Sequence, residues 1–282
     1  MLHSSLKAAL LALGLVAFTA STALAQPAPL RTAVDPVAAP FAMTRLSGGL
    51  EGFSIDLLAA IGTQLGRRID VAAMQYSGVF PAMQAGNIDF VGAPVTATPL
   101  RAESMIFTEG FLNTDYQFVT AASAPLETLE SYRGKTISVN KGAAYDAWAR
   151  AQAPTTGWIV ESYGTTNDAI AAVISGRSAA ALTNTTEVAW AVKKNPRLRP
   201  GYRHATGEVF SMAFRKDSVA LRNEVEGALE CLKARGEVAR LYEKWFGVAP
   251  AAGSVATTVE PGYGVAGLPG HDAAPHPANC KK

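Results

Sequence analysis

The sequence predicts an α/β protein of two lobes joined by two crossings and followed by an extended C-terminal tail. Three observations carry this expectation. Strand and helix patterns alternate in one series up to Thr120 and in a second series after it. About 220 residues carry those patterns, more than a single core usually holds. From Val248 onward Gly, Pro and Ala dominate and periodicity stops.

In the first series, residues 30–34 read as a strand and residues 53–65 as a helix, with Ile55, Leu58, Ile61 and Leu65 on one face. Ser54 is placed to cap that helix, and Asp56 sits in its first turn. A strand over 69–73, a short helix over 79–85 closed by Gly86 and a strand over 88–92 follow. Thr98-Pro99 opens the next helix, as an N-cap followed by proline at the first helical position. In the second series, strands are expected over 134–139, 158–161 and 179–183. Helices are expected from Ala144, over 166–175 and over 186–194, the last ending before Pro196. Residues 209–215 read as a strand and 218–246 as helices broken at Gly236. The resulting division is 1–25 signal, 26–120 first part of lobe 1, 121–206 lobe 2, 207–248 second part of lobe 1 and 249–282 tail, with crossings near Thr120 and Thr206.

The first 25 residues have the order of a secretory signal: Lys7, an apolar run over 8–20, then Ala23-Leu24-Ala25 before Gln26. The mature chain is expected to begin near Gln26 in a periplasm, without a lipid anchor because no Cys follows the run, and the run is shorter than a bilayer span. With 25 basic against 23 acidic residues and no basic cluster beyond Lys193-Lys194, nothing points to nucleic acid. Cys231 and Cys280, bound for an oxidising compartment, are expected to pair. His271, His276 and Cys280 fit no tight metal template, so neither metal nor cofactor is expected, and the chain reads as a monomer.

Ligands of open α/β units sit beyond the carboxyl ends of the strands, which places the candidate site at Asp35, Tyr76 and residues 92–96, 140–144 and 183–187. Family-like segments lie in and between these places. They are Asp35-Pro36 with Pro40-Phe41, Glu51-Gly52-Phe53-Ser54-Ile55-Asp56-Leu57, residues 81–89, and Thr96-Ala97-Thr98-Pro99-Leu100-Arg101. Phe107-Thr108, Gly134-Lys135, Lys141-Gly142 and Tyr242-Glu243-Lys244-Trp245-Phe246-Gly247 continue the series. In this order they resemble bacterial extracellular solute-binding proteins of family 3, the polar amino-acid receptors of ABC transporters. The resemblance implies a two-lobed, periplasmic-binding-protein-like fold of type II. It also implies a receptor, not an enzyme, that closes on a small carboxylate ligand, an amino acid, and delivers it to a membrane ABC permease. It assigns Arg101 to the ligand carboxylate as a bidentate cation, with the Thr96 N–H and hydroxyl on the remaining lone pairs. Carbonyls of Ala93 and Pro94 would face the ammonium, Tyr76 would pack against the ligand, and Asp35 would meet a cationic side chain.

The departures from the family bear on ligand identity. Asn184 stands where relatives that bind α-amino acids carry a carboxylate for the ammonium, and Ala143-Ala144 replace a hydroxyl after Lys-Gly, so Ala144 gives the second lobe an apolar grip. Val37 and Ala38 stand where an aromatic is common. Either another acid, Glu187, Asp35 or Asp115, meets the ammonium, or the ligand lacks a strong cation there. Cyclohexadienyl dehydratases share this fold, and Glu187 falls near where their general acid lies, which keeps a lyase as an alternative. A receptor-like partner of a membrane sensor or oxidoreductase is a third reading.

Overall fold

The computed structural model describes residues 27–277 and 280, so the expected signal lies outside the described residues. In chain order the first elements are β1 (Leu30–Val34), β2 (Met43–Thr44), β3 (Leu50–Glu51), α1 (Phe53–Leu65), β4 (Ile69–Ala73), α2 (Tyr76–Gln84), β5 (Phe90–Thr96), α3 (Pro99–Ala102), β6 (Met105–Phe107) and β7 (Leu112–Ala121). They are followed by β8 (Thr136–Asn140), α4 (Ala144–Thr156), β9 (Ile159–Tyr163), α5 (Thr166–Ile174), β10 (Ala180–Asn184), α6 (Thr185–Lys194), β11 (Leu198–Arg215), α7 (Val219–Ala234) and α8 (Glu237–Phe246).

In the first lobe β4 pairs in parallel with β1, and β5 and β6 pair antiparallel with β11. A threonine joins these two sets: Thr32 Oγ1 in β1 donates to the Phe90 carbonyl at 2.8 Å and accepts from the Gly92 N–H at 2.7 Å. Glycine suits position 92, because a Cβ there would lie 2.9 Å from that hydroxyl and 2.8 Å from a Leu58 methyl, and one of these side chains would have to shift. In the second lobe the order is β9-β8-β10-β7-β11. Strands β7 and β11 are antiparallel partners from Leu112↔Phe210 to Ala121↔Leu198, so they run through both lobes. Their ladder shifts register between His204 and Glu208 and again between Pro200 and Arg203.

One core gathers Leu30, Phe53, Leu57, Phe90, Phe111, Phe214 and Leu229. A second gathers Phe118, Tyr132, Ile137, Trp158 and Leu182, beside a smaller cluster around Val119, Ile170 and Val188. Tyr116 and Phe118, ahead of the expected crossing near Thr120, already belong to the second core.

Three local expectations change. Strand β5 runs over Phe90–Thr96 rather than 88–92, because residues 86–88 finish the turn after α2, Asp89 N–H goes to the Arg31 carbonyl in β1 and the apolar run continues to Val95. Gly52, not Ser54, is the N-cap of α1, and Ser54 is buried inside the first turn. Residues 198–208 carry Pro200, Gly201 and Gly207 and do not read as a strand, yet pairing with β7 extends them into β11. Thr98 does cap α3, its Oγ1 accepting the Arg101 N–H.

Among the described residues the tail has no helix or strand, but it is packed. Ala256 is buried, and Val265 and Leu268 lie against the first core. Beneath it α7 presents buried charged side chains that the tail backbone satisfies. Gly264 N–H donates to Glu226 at 2.7 Å, Lys233 donates to the Thr258 carbonyl at 3.0 Å and Arg222 donates to the Gly270 carbonyl at 3.1 Å. His276 stacks on Tyr263 and meets Glu230 at 2.8 Å, and a disulfide joins Cys231 to Cys280. Cys280→Ser is expected to lower stability by about 2–4 kcal/mol in denaturant melts. It should leave ligand affinity unchanged, since the bond lies on α7 and the tail; a dead binder would contradict this.

Burial pushes the Glu226 carboxyl up to about 8, against the Gly264 N–H and the Arg222 guanidinium. A carboxyl raised on folding contributes its stability below its unfolded value and loses it as pH rises through the folded one. Glu226 therefore makes stability fall between its ordinary 4.5 and about 8, and Glu226→Gln should make the fall shallower in thermal melts across that range.

Candidate functional site

Between the lobes lies a cavity built from strand ends and helix starts. The first lobe supplies Val34 and Asp35 from the end of β1, Ala38, Phe41 and Ala42 from the loop after it, and Ser54 and Tyr76 from the first turns of α1 and α2. It also supplies Ala93, Pro94 and Thr96 from β5 and Phe210 from β11. The second lobe supplies Asn140 from the end of β8, Ala143, Ala144 and Tyr145 at the start of α4, and Asn184 and Glu187 at the start of α6. This arrangement follows from parallel βα units, whose helix N-termini and strand carboxyl ends share one edge. It also aims backbone N–H groups of α2, α4 and α6 toward the cavity, favouring a ligand with an anionic end.

Asp35 is buried, and it holds the first-lobe wall by accepting the Val37 N–H on Oδ1 and the Tyr76 N–H on Oδ2, each at 3.1 Å. Burial raises its carboxyl above the usual carboxylate range, and those two N–H groups oppose the rise. Tyr76 stands edge-on to Phe80, and its hydroxyl points toward the Pro94 carbonyl at 3.4 Å.

On the second-lobe side a single hydrogen-bonded chain surrounds Glu187. Its Oε2 accepts the Thr183 hydroxyl and, at 3.0 Å, the Asn184 amide N–H, while Oε1 accepts the Thr166 hydroxyl at 3.4 Å. Asn184 Oδ1 in turn accepts the Thr114 hydroxyl at 3.0 Å. Burial pushes the Glu187 carboxyl up despite these donors. Two polar atoms of the lining, Ser54 Oγ and Asn140 Oδ1, are buried with no protein partner, which marks them as free to meet a ligand. Among the described residues the lining contains Asp35 and Glu187 and no Lys, Arg or His.

Arg101 is not part of that lining. Its guanidinium lies over the Phe80 ring at 5.1 Å and donates to the Thr96 carbonyl in the first lobe and the Gly142 carbonyl in the second, each at 2.9 Å. It stands close enough to the cavity for its charge to pull down the Tyr76 hydroxyl, which burial raises. The structure thus brings Asp35, Tyr76, Ala93, Pro94, Thr96, Ala144, Asn184 and Glu187 to one cavity and leaves Arg101 at its rim. Asp115 drops out as an ammonium partner, because Arg203 and the Thr206 N–H already occupy it outside the lining. The second-lobe wall is also less apolar than Ala143-Ala144 alone suggested, since Asn140 and Tyr145 flank them. Sequence reasoning missed Phe41, Ser54, Tyr145 and Phe210. Ser54 read as a helix cap and Phe210 as a core strand residue, whereas Tyr145 follows Ala144 directly and was legible.

A model of the bacterial extracellular solute-binding proteins, family 3, matches residues 30–248. The histidine-binding periplasmic protein of Escherichia coli is 25% identical over 254 residues, covering 86% of this chain and 97% of that protein. Among solved structures, an ancestral arginine-binding protein bound to arginine superposes with a TM-score of 0.75 at 29% identity, over 79% of this chain and 100% of the other. An ancestral amino acid-binding protein described as a precursor of cyclohexadienyl dehydratase gives 0.71 at 26% identity, over 77% and 95%.

Proposed function

The chain belongs to the bacterial extracellular solute-binding proteins, family 3, and from that premise we propose that it is a periplasmic receptor. It captures an amino acid between its lobes and delivers it to the membrane permease of an ABC transporter. The observation that carries this reading is the interlobe cavity, which joins two buried acids with an arginine at the rim. Arg101 uses two of its five N–H donors on backbone carbonyls and has others to offer a ligand carboxylate. Asp35 and Glu187 favour a ligand that also carries positive charge, and the arginine- and histidine-binding relatives are consistent with a cationic amino acid.

A lyase is the second reading, because Glu187 has the raised carboxyl that a general acid needs and one structural neighbour is a dehydratase precursor. Two acids in the wall disfavour a dicarboxylate substrate. Titration calorimetry of residues 27–282 with the protein amino acids and with prephenate separates the two. The receptor reading expects heat from a cationic amino acid, at least tenfold weaker binding in Arg101→Ala and no conversion of prephenate. Conversion of prephenate, lost in Glu187→Gln, would overturn it.

A further inference from the structure

We propose that Glu187, in the first turn of α6, is the group that binds the ligand's ammonium, and that Asn184 at the end of β10 is a positioning residue which aims it. The inference rests on the amino-acid receptor reading and names the contact that makes the site specific for an α-amino group.

The Asn184 side chain is held at both ends by protein partners and carries no charge to offset an ammonium. Its Oδ1 accepts the Thr114 hydroxyl and its amide N–H donates to Glu187 Oε2, both at 3.0 Å. Turning the amide over would set Oδ1 against the Glu187 carboxylate, two acceptors without a proton between them, so the chemistry fixes its orientation. Asn184 is buried between β7 and α6 and serves as a strut.

Glu187 is the reverse case. All its protein partners, Thr183, Asn184 and Thr166, are neutral donors, and no cation lines the cavity among the described residues. A buried carboxylate held only by neutral donors lacks a counter-charge, and an ammonium in the cavity supplies one. Asn140 Oδ1, unpartnered in the same lobe's part of the lining, offers a second acceptor for an ammonium that has three hydrogens to place. Tyr145 and Thr166 complete the support, with Asn140 Nδ2 and the Tyr145 hydroxyl each 3.4 Å from Thr166 Oγ1.

An ordinary structural role for Glu187 exists and has to be separated from this one. Asn184 is the N-cap of α6 and Glu187 its third helical residue, the positions of a capping box, in which glutamine serves as well as glutamate. The two roles predict opposite outcomes. A capping role lets Glu187→Gln bind normally; an ammonium-binding role does not.

The test compares L-arginine with 5-guanidinopentanoate, its analogue without the amino group, by titration calorimetry on residues 27–282. If another protein amino acid binds better, that amino acid and its own deamino analogue replace the pair. The wild type should prefer the amino acid at least tenfold. Glu187→Gln should bind it about 100-fold more weakly, abolish the preference and melt no lower than the wild type without ligand. Asn184→Asp should also weaken binding at least tenfold, because it sets a second carboxylate against Glu187. The double variant N184D/E187Q, with one carboxylate again, should return to within tenfold of the wild type. Retained preference in Glu187→Gln, or tighter binding in Asn184→Asp, would overturn the inference and leave the receptor reading standing. Binding of no protein amino acid by the wild type would sink both.

Discussion

Lys233→Met should lower the stability of the protein by about 3–5 kcal/mol while leaving ligand affinity within about twofold. The Lys233 ammonium lies 2.9 Å from Glu109 Oε1 with both side chains wholly buried under the tail, and it also donates to the Gly110 and Thr258 carbonyls. Burial pushes the Glu109 carboxyl up and the Lys233 ammonium down, and each is opposed by the charge of the other. Removing the lysine leaves a carboxylate whose Oε2 still holds the Glu260 N–H but whose charge is uncompensated. For a chain of this size the loss corresponds to a melting shift of roughly 6–20 °C. Adding Glu109→Gln to Lys233→Met should recover more than half of it, because the cost comes from the stranded charge rather than from the pair's net worth. A shift worth under about 1 kcal/mol would show that the tail covers this pair far less tightly than described.

Gly52→Ala is expected to damage stability and binding together. Gly52 precedes α1 with φ +138°, and a Cβ there would lie 2.2 Å from the Phe41 carbonyl oxygen and 2.6 Å from its carbon. Those are backbone atoms, so no rotamer change relieves the overlap. The same loop is tied to α1 by Phe53 N–H on the Pro40 carbonyl and Ser54 N–H on the Phe41 carbonyl, and it presents Ala38, Phe41 and Ala42 to the cavity. The strained backbone and the overlap together should cost about 3 kcal/mol or more in urea melts. Calorimetry should show at least tenfold weaker ligand binding, since the displaced loop is itself cavity wall. Gly48→Ala is the control: it also has positive φ but would meet nothing within 4 Å, so only a strain cost of about 1 kcal/mol and unchanged affinity are expected.

The alternation of strands and helices was legible because each βα unit carries its own hydrophobic period and stop signals, as Thr98-Pro99 before α3 shows. What local pattern does not encode is pairing at long range. Residues 198–208 form a strand only because β7 lies alongside them, and Ser54 leaves its capping place because Gly52 takes the turn that the Phe41 loop demands. The cavity follows the strand ends, so eight of the nine candidate residues read from the sequence line it. Arg101, the ninth, stands at the rim for a different reason. Its position on α3 is local, but the direction of its guanidinium is set by two carbonyls, one from each lobe. The role of Asn184 was also beyond sequence, because an amide reads as a missing charge until its partners Thr114 and Glu187 are seen.

The pairing of β7 with β11 across both lobes has a mechanical consequence. A two-stranded ribbon flexes readily out of its own plane and resists shearing within it, since in-plane slip breaks every rung of the ladder at once. The register shift between His204 and Glu208, with Gly207 at positive φ inside it, is where rungs are already missing. Bending concentrated there would swing one lobe against the other along one arc, like covers turning on a spine, and would widen or narrow the mouth of the cavity.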